Sequence, residues 1–224
     1  MTEASSTAQR LTAEALGSAL LLAAVVGSGI MGERLAAGNV AIALLANTLV
    51  TGAMLFVLIT IFGPISGAHF NPAVSAVAAF QRDITWKLCI AYSGVQVAGA
   101  LIGVAAAHVM FEMPVVQLSV KQRSGAAQLF SEFVATFGLI TTIIATVRYA
   151  PSRVAAAVAS YIVAAYWFTA STSFANPAVT VARAVSDTFA GIRPIDAPAF
   201  ILAQLCGAFA AMLLASWVLP PRVR

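Results

Sequence analysis

The chain has 224 residues, of which 61% are hydrophobic and only 9% are charged, and its net charge is +4. With a mean hydropathy of +0.94, it carries too little charge to cover the surface of a soluble domain of this length. Its basic residues lie at the ends of apolar stretches, as in membrane helices, so the positive charge does not indicate nucleic-acid binding. The composition predicts a single polytopic membrane domain over residues 1–224.

Six apolar stretches are long enough to cross roughly 30 Å of hydrocarbon as helices of about 20 residues. The first is longer than the apolar region of a signal peptide and carries Glu14 near its start, so we predict a transmembrane helix there. The tails, Met1–Gln9 and Pro220–Arg224, are expected to be flexible. The predicted spans are Leu11–Met31, Asn39–Phe62, Thr85–Met110, Gln128–Val147, Arg153–Ser171 and Ala199–Leu219.

Two of the connecting segments, Gly63–Asp83 and Thr172–Pro198, hold the same tripeptide, Asn-Pro-Ala. The two copies are Asn71-Pro72-Ala73 and Asn176-Pro177-Ala178. Each is followed by an apolar run that is too short to cross the bilayer. Such a run predicts a re-entrant half-helix.

Three landmarks recur in the same order in the two halves of the chain. Glu14 matches Glu132, 118 residues later, and the two tripeptides are 105 residues apart. The pattern Gln-x-x-Gly-Ala begins at Gln96 and again at Gln204. Each half has three spans, an odd number, so the second half inserts upside down relative to the first. We predict inverted repeats of residues 10–110 and 128–219, with the functional site near the midplane.

The basic residues also favour one orientation, with both termini in the cytoplasm. We expect the chain to lie in the cell inner membrane. The inner side then holds Arg10, Arg82, Lys87, Arg148, Arg153, Arg222 and Arg224. The outer side holds Arg34, Lys121, Arg123, Arg183 and Arg193.

An Asn-Pro pair starts a helix at a defined residue. Proline suits the first helical position because the hydrogen that it lacks would have no partner there, and asparagine is a favoured cap just before it. Two such helices that meet head to head direct their positive dipole ends at one point. The side-chain amides of Asn71 and Asn176 would still offer N–H donors to a pore. This site would suit water or hydroxylated solutes and repel cations.

The chain resembles the aquaporin and glycerol-facilitator superfamily of major intrinsic proteins. The match rests on Ser66-Gly-Ala-His-Phe-Asn-Pro-Ala-Val74, on Asn176-Pro-Ala-Val179 and on the repeated glutamates and Gln-x-x-Gly-Ala patterns. The resemblance implies an all-α membrane protein with six transmembrane helices and two re-entrant half-helices in an inverted repeat. It also implies one pore per subunit and a homotetramer in the lipid bilayer. No cofactor, metal or nucleic acid is expected.

Glu14 and Glu132 are carboxylates within apolar helices, so each is a functional hypothesis. Their equivalent places in the repeat favour a structural use, as in the family, in which each accepts hydrogen bonds from the backbone ahead of a half-helix. A proton relay is the alternative. Gln96 and Gln204 are expected to support the same loops. His69 borders the pore in similar proteins, and a packed imidazole is the competing interpretation.

Most members of the superfamily have an arginine after the second tripeptide, which narrows the outer filter and helps to exclude protons. Here that position is Val179, and the nearest arginine is Arg183, on the same helix face and about 6 Å further outwards. We predict that Arg183 points into the outer vestibule as a displaced filter charge. The alternatives are a partner for Asp187 or Asp196 and a snorkelling surface residue.

Alignment by distance from the tripeptides places the remaining filter positions at Thr51, Ala164 and Ser173. Because the fifth span has no internal motif, Tyr161 or Trp167 could face the pore instead of Ala164. Small side chains at these positions predict a wider and less charged constriction than that of water-selective members.

These features predict a passive channel for water and glycerol-like polyols, and not an enzyme, since no catalytic or metal-ligand cluster is evident. The two histidines are far apart in sequence, and His108 is expected at the membrane interface. The segment from Asn176 to Arg183, with Phe189–Pro194, resembles a bacterial branch associated with arsenic resistance, which implies trivalent arsenic species such as As(OH)3. A water-selective aquaporin and a coupled secondary transporter remain alternatives.

Overall fold

The computed structural model describes residues 5–219, which form eight α-helices, one 3₁₀ turn and no strand. The helices are α1 (Thr7–Leu35), α2 (Val40–Ser66), α3 (Pro72–Phe80), α4 (Trp86–Met110), α5 (Ala126–Tyr149), α6 (Val154–Phe168), α7 (Pro177–Arg183) and α8 (Ala197–Val218). The two short helices, α3 and α7, begin at the prolines of the tripeptides. The predicted all-α class, with six long helices and two half-helices, is confirmed.

Five of the long helices, α1, α2, α4, α5 and α8, are long and apolar enough to cross a membrane. The remaining one, α6, has 15 residues, which corresponds to about 22 Å, less than the roughly 30 Å of a hydrocarbon core. It follows the 3₁₀ turn Pro151–Arg153 and ends at Phe168, because Thr169 already has extended backbone. The predicted span to Ser171 is therefore too long at this end.

Helix α1 starts earlier than predicted because Ser6 and Gln9 form a capping box. The Ser6 hydroxyl accepts a hydrogen bond from the Gln9 amide, and the Gln9 side chain accepts one from the Ser6 amide. Thr7–Gln9, expected in a flexible tail, are thus helical. Of the predicted tails, Met1–Ala4 and Pro220–Arg224, with the basic residues Arg222 and Arg224, lie outside the described residues.

The Gln-x-x-Gly-Ala pattern marks the places where long helices touch backbone to backbone. Helix α1 packs most extensively on α4, and α5 packs on α8 in the equivalent way. A Cβ atom at Gly99 would overlap the carbonyl oxygen of Ala15, and one at Gly207 would overlap that of Phe133. Only glycine permits this approach. The half-helices α3 and α7 contact each other, and both pack on α4 and α8.

Candidate pore

The two half-helices are capped by the asparagines of the tripeptides. Asn71 Oδ1 accepts a hydrogen bond of 2.9 Å from the Ala73 amide, and Asn176 Oδ1 accepts one of the same length from the Ala178 amide. Both asparagines have extended backbone and are buried. Each half-helix therefore begins at the residue that the Asn-Pro pair predicts.

Each asparagine also bonds to the opposite half of the chain. Asn71 Nδ2 donates to the Ala175 carbonyl at 2.8 Å, and Asn176 Nδ2 donates to the Phe70 carbonyl at 2.8 Å. The start of α3 is thus joined to the start of α7. Because an amide nitrogen carries two hydrogens, each side chain keeps one further donor.

Glu14 holds the backbone that leads into α3. Its carboxylate accepts hydrogen bonds from the amides of His69 at 2.9 Å and Phe70 at 2.7 Å, from the Ser66 hydroxyl at 2.6 Å and from Gln96 Nε2 at 2.8 Å. Glu14 and Gln96 are fully buried. The four donors account for the placement of a carboxylate in an apolar helix.

Glu132 holds the backbone that leads into α7 in the same manner. It accepts hydrogen bonds from the amides of Phe174 and Ala175, both at 2.9 Å, and from Gln204 Nε2 at 2.6 Å. Gln204 Nε2 also donates to Thr180 Oγ1. The two buried carboxylates thus support the two loops through equivalent contacts, as the repeat predicts.

These loops need support because their backbone is strained. Ala68 and Phe70 before α3, and Ser173 and Ala175 before α7, all have φ between 47° and 50°. This left-handed region is costly for residues with a side chain, by roughly 1–2 kcal/mol each. The amides of Phe70 and Ala175 donate to Glu14 and Glu132, whereas those of Ala68 and Ser173 donate to the hydroxyls of Ser66 and Ser171. These hydrogen bonds stabilise the strained backbone.

The side chains of both asparagines line one cavity of about 300 Å3. Because α3 and α7 both begin at this junction, Asp83, which follows α3, and Arg183, the last residue of α7, mark the two ends of the cavity that they also line. His69 lines the cavity between Asn71 and Asp83. Its Nδ1 atom lies 3.0 Å from Ser75 Oγ, and its ring packs edge-on against a tyrosine of α4.

Three of the predicted filter residues, Thr51, Ser173 and Val179, line the Arg183 end of the cavity. All three are buried. Thr51 Oγ1 lies 3.3 Å from the Tyr166 hydroxyl, whereas Ser173 Oγ has no hydrogen-bond partner among residues 5–219.

The assignment of Ala164 to the filter is wrong. Ala164 is exposed on the outer face of α6, and the cavity is lined from this helix by Val154, Val158, Ile162 and Tyr166 instead. Residues 164 and 166 are separated by about 200° around a helix, so they face opposite sides. The alternatives, Tyr161 and Trp167, do not line the cavity either. Tyr166 makes this end bulkier than the sequence predicts.

Arg183 is buried, lines the cavity and is not a snorkelling surface residue. Its Nε donates to the Ala190 carbonyl, and its guanidinium carbon lies 3.4 Å from the ring centroid of Phe174. Its Nη1 atom has no hydrogen-bond partner within the described part of the chain. The predicted carboxylate partners bond elsewhere: Asp187 accepts from the Val120 amide and Asp196 from Arg193.

The segment between α4 and α5, residues 112–125, packs on the residues that follow α7, and sequence reasoning did not identify its role. The amides of Gln117 and Ser119 donate to the carbonyls that follow α7. Lys121 Nζ donates to the Phe189 carbonyl at 2.6 Å and lies 4.6 Å from the centroid of its ring. The pKa of Lys121 is lowered to about 8, mainly by burial, and the charges of nearby Arg123 and Arg183 act in the same direction.

His108 is buried, not interfacial as predicted. Its Nδ1 lies 2.8 Å from the Val115 carbonyl, and its Nε2 lies 2.9 Å from Ser186 Oγ. Because a carbonyl only accepts, Nδ1 carries the proton. The histidine therefore ties the segment 112–125 to the turn after α7, and no local sequence pattern reveals such a contact.

Comparison with known proteins agrees with this geometry. Residues 1–160 match the family described as Major intrinsic protein. The chain is 56% identical over 213 residues to Aquaglyceroporin AqpS of Rhizobium meliloti (strain 1021). This alignment covers 95% of this chain and 91% of that protein. It is also 33% identical over 95 residues to the Glycerol uptake facilitator protein of Bacillus subtilis (strain 168), over 37% of this chain and 35% of that protein.

The fold is similar to the X-ray structure of the aquaglyceroporin from Plasmodium falciparum, with a TM-score of 0.78 and 18% sequence identity. The match covers 96% of this chain and 98% of that one. At 18% sequence identity, this comparison establishes the fold alone.

Proposed function

Because the chain belongs to the major intrinsic protein family, we propose that it is a passive membrane channel for small neutral solutes. The observation that carries this proposal is the junction of Asn71 and Asn176 inside one cavity. Two helix N-termini and two amide donors meet there, which favours hydroxyl oxygens and disfavours hydronium. The similarity to aquaglyceroporins supports water and glycerol as solutes.

The selectivity filter in this proposal consists of Thr51, Ser173, Val179 and Arg183, with Tyr166 in the place first assigned to Ala164. Ser173 Oγ and Arg183 Nη1 are buried without partners among residues 5–219 and belong to residues that line the cavity, so each has unused hydrogen-bonding capacity beside it. The ring of Tyr166 and the methyl groups of Val179 can contact its carbon–hydrogen side. Because Val179 replaces a long charged side chain, the filter admits polyols as well as water.

Trivalent arsenic in the form of As(OH)3 fits the same chemistry, since it presents several hydroxyls at a size similar to that of glycerol. Its support is this likeness and the resemblance of residues 176–194 to a branch associated with arsenic resistance. A strictly water-selective aquaporin is the alternative, which the small side chains of Thr51, Ser173 and Val179 disfavour.

A coupled secondary transporter is disfavoured by the contacts of the two buried carboxylates. Glu14 accepts four hydrogen bonds and Glu132 accepts three, all from loops or helices that fix the half-helices. A coupling carboxylate must bind and release a proton, which would break these contacts.

We further propose that residues 1–224 form one channel domain with inverted repeats 10–110 and 128–219, assembled as a homotetramer in the cell inner membrane. In this orientation the termini and the Asp83 end are cytoplasmic. The burial of Arg123 and Arg183 supports it, because it leaves fewer exposed basic residues on the outer side than the sequence count suggests.

Stopped-flow measurement of purified protein in proteoliposomes tests the proposed solutes, with water, glycerol and As(OH)3 compared in the same vesicles. We expect all three to permeate faster than through empty liposomes. Permeation by water alone would support the water-selective alternative, and no increase for any solute would overturn the channel.

A further inference from the structure

Arg123 is a second buried arginine beside the cavity, and it bonds to both segments that flank α7. Its Nε donates to the Gly191 carbonyl at 2.8 Å, and its Nη1 donates to the Ser171 carbonyl at 2.9 Å and lies 3.5 Å from Thr172 Oγ1. Its own amide donates to Asp196 at 2.8 Å. Only 8% of its surface is exposed.

The guanidinium groups of Arg123 and Arg183 both lie close to the aromatic ring of Phe174. The guanidinium carbon of Arg123 lies 4.9 Å from the centroid of Phe174, and that of Arg183 lies 3.4 Å from it. The separation of the two cations is therefore at most the sum of these distances. Phe174 itself lines the cavity.

The charges around this ring do not cancel. Glu132 is the buried carboxylate that bonds to the backbone of Phe174, and it interacts electrostatically with both buried guanidinium groups. Asp196 forms an ion pair with Arg193 at 3.0 Å. Burial lowers the pKa of Arg123 to about 10, so this side chain remains charged at neutral pH. A net positive charge thus remains beside the Arg183 end of the cavity.

We propose that Arg123 is a specificity-determining residue, whose charge, together with that of Arg183, excludes protons and other cations at this end of the cavity. Two buried like charges in a low-dielectric wall raise the energy of a cation in the adjacent cavity. Its hydrogen bonds to Gly191 and Ser171 hold the guanidinium beside Phe174. The second charge compensates for the uncharged Val179 in the filter.

This inference rests on the proposed channel function, and separate measurements test the channel and the role of Arg123. Glycerol flux reports the channel, whereas proton flux, followed with a pH-sensitive dye inside the same proteoliposomes, reports the barrier. The variants are Arg123→Gln, which removes the charge, and Arg123→Lys, which retains it. Arg34→Gln is the matched control, because it removes an exposed cation from the same side of the molecule, where Arg34 bonds to the Phe111 carbonyl.

We expect the proton flux of Arg123→Gln to exceed that of empty liposomes by about tenfold, the order of effect that one charge exerts on local ion concentration in a cleft. The unaltered protein, Arg34→Gln and Arg123→Lys should remain at the empty-liposome level. Glycerol flux should stay measurable in all four. A role for the charge would be overturned if folded Arg123→Gln showed only the proton flux of empty liposomes. It would also be overturned if Arg123→Lys and Arg123→Gln leaked protons equally.

A second pair of variants leaves Arg123 in place and therefore does not depend on the folding of Arg123→Gln. Thr172 has a φ of 62°, which Asp and Asn tolerate better than most residues, and its hydroxyl lies beside Arg123 Nη1. Thr172→Asp adds a neutralising charge, and Thr172→Asn has the same shape without it. We expect proton leakage through the Asp variant alone. Equal proton flux through both, with intact glycerol flux, would contradict the proposal.

Discussion

Asn71 and Asn176 exchange hydrogen bonds across the junction of the two half-helices. The side-chain amide of each donates to the carbonyl of the residue just before the other, at 2.8 Å in both directions. Each asparagine is therefore at once the cap of its own helix and a clamp on the opposite loop.

We expect Asn71→Ala to destabilise the protein by about 2 kcal/mol, because it removes both a helix cap and a cross-half hydrogen bond of about 1 kcal/mol each. Asn39→Ala is the control. Asn39 caps α2 through the amides of Ala41 and Ile42 in an exposed position and, among residues 5–219, has no hydrogen bond to the other half. Thermal unfolding in detergent should show a larger fall in Tm for Asn71→Ala. Equal falls would show that the cross-half bond contributes nothing to stability.

Glu132→Gln tests whether this carboxylate is structural or a proton relay. A glutamine places an NH2 group where an oxygen accepts from the Phe174 or Ala175 amide, so a buried donor loses its partner at a cost of about 1–3 kcal/mol. We expect reduced Tm and reduced glycerol flux per purified protein. Glu112→Gln, at an exposed position, should change neither. A fully stable Glu132→Gln whose solute flux loses only its pH dependence would indicate the relay.

Val179→Arg tests which residue sets the size limit of the filter. A long charged side chain in this cavity should lower glycerol and As(OH)3 flux by about tenfold, equivalent to about 1.4 kcal/mol of barrier, and lower water flux much less. Val179→Thr, which keeps the shape, should preserve the ratio of the three. Stopped-flow light scattering measures each solute. If all three fluxes fall equally in the Arg variant, Val179 does not determine the cutoff.

The lowered pKa of Lys121 should make the folding stability of the protein depend on pH in the alkaline range. Its pKa is lowered to about 8 by burial, from about 10.5 in the unfolded chain, so between these values the unfolded state binds the proton and the folded state does not. Stability therefore rises as pH increases from 8 towards 10.5. We expect the Tm of the unaltered protein to rise relative to that of Lys121→Gln over this window. Parallel pH profiles of the two proteins would contradict the lowered pKa.

The half-helices and their supports could be predicted from the sequence because their signals are local and repeated. Asn-Pro fixes the first residue of α3 and of α7. The equivalent positions of Glu14 and Glu132 indicate that both have the same structural role, which is to hold the backbone ahead of a half-helix. The Gln-x-x-Gly-Ala pattern likewise corresponds to a close helix contact that only glycine allows.

The remaining parts of the site depend on contacts between distant segments. Ala164 was assigned to the filter by counting along α6, where an error of two residues turns a side chain to the opposite face. Arg123 lies in a segment without a motif, and its place beside Phe174 follows from how residues 112–125 fold over α7. His108 was missed for the same reason, since its partner Ser186 is 78 residues away.

Glycerol uptake into proteoliposomes in the presence of ionophores that collapse every ion gradient distinguishes a passive pore from all coupled alternatives. If solute passes the junction of Asn71 and Asn176 by diffusion alone, uptake will continue at the rate seen without ionophores and stay well above that of empty liposomes. A fall to the rate of empty liposomes would show that transport is coupled to an ion gradient, and that the chain is not a passive channel.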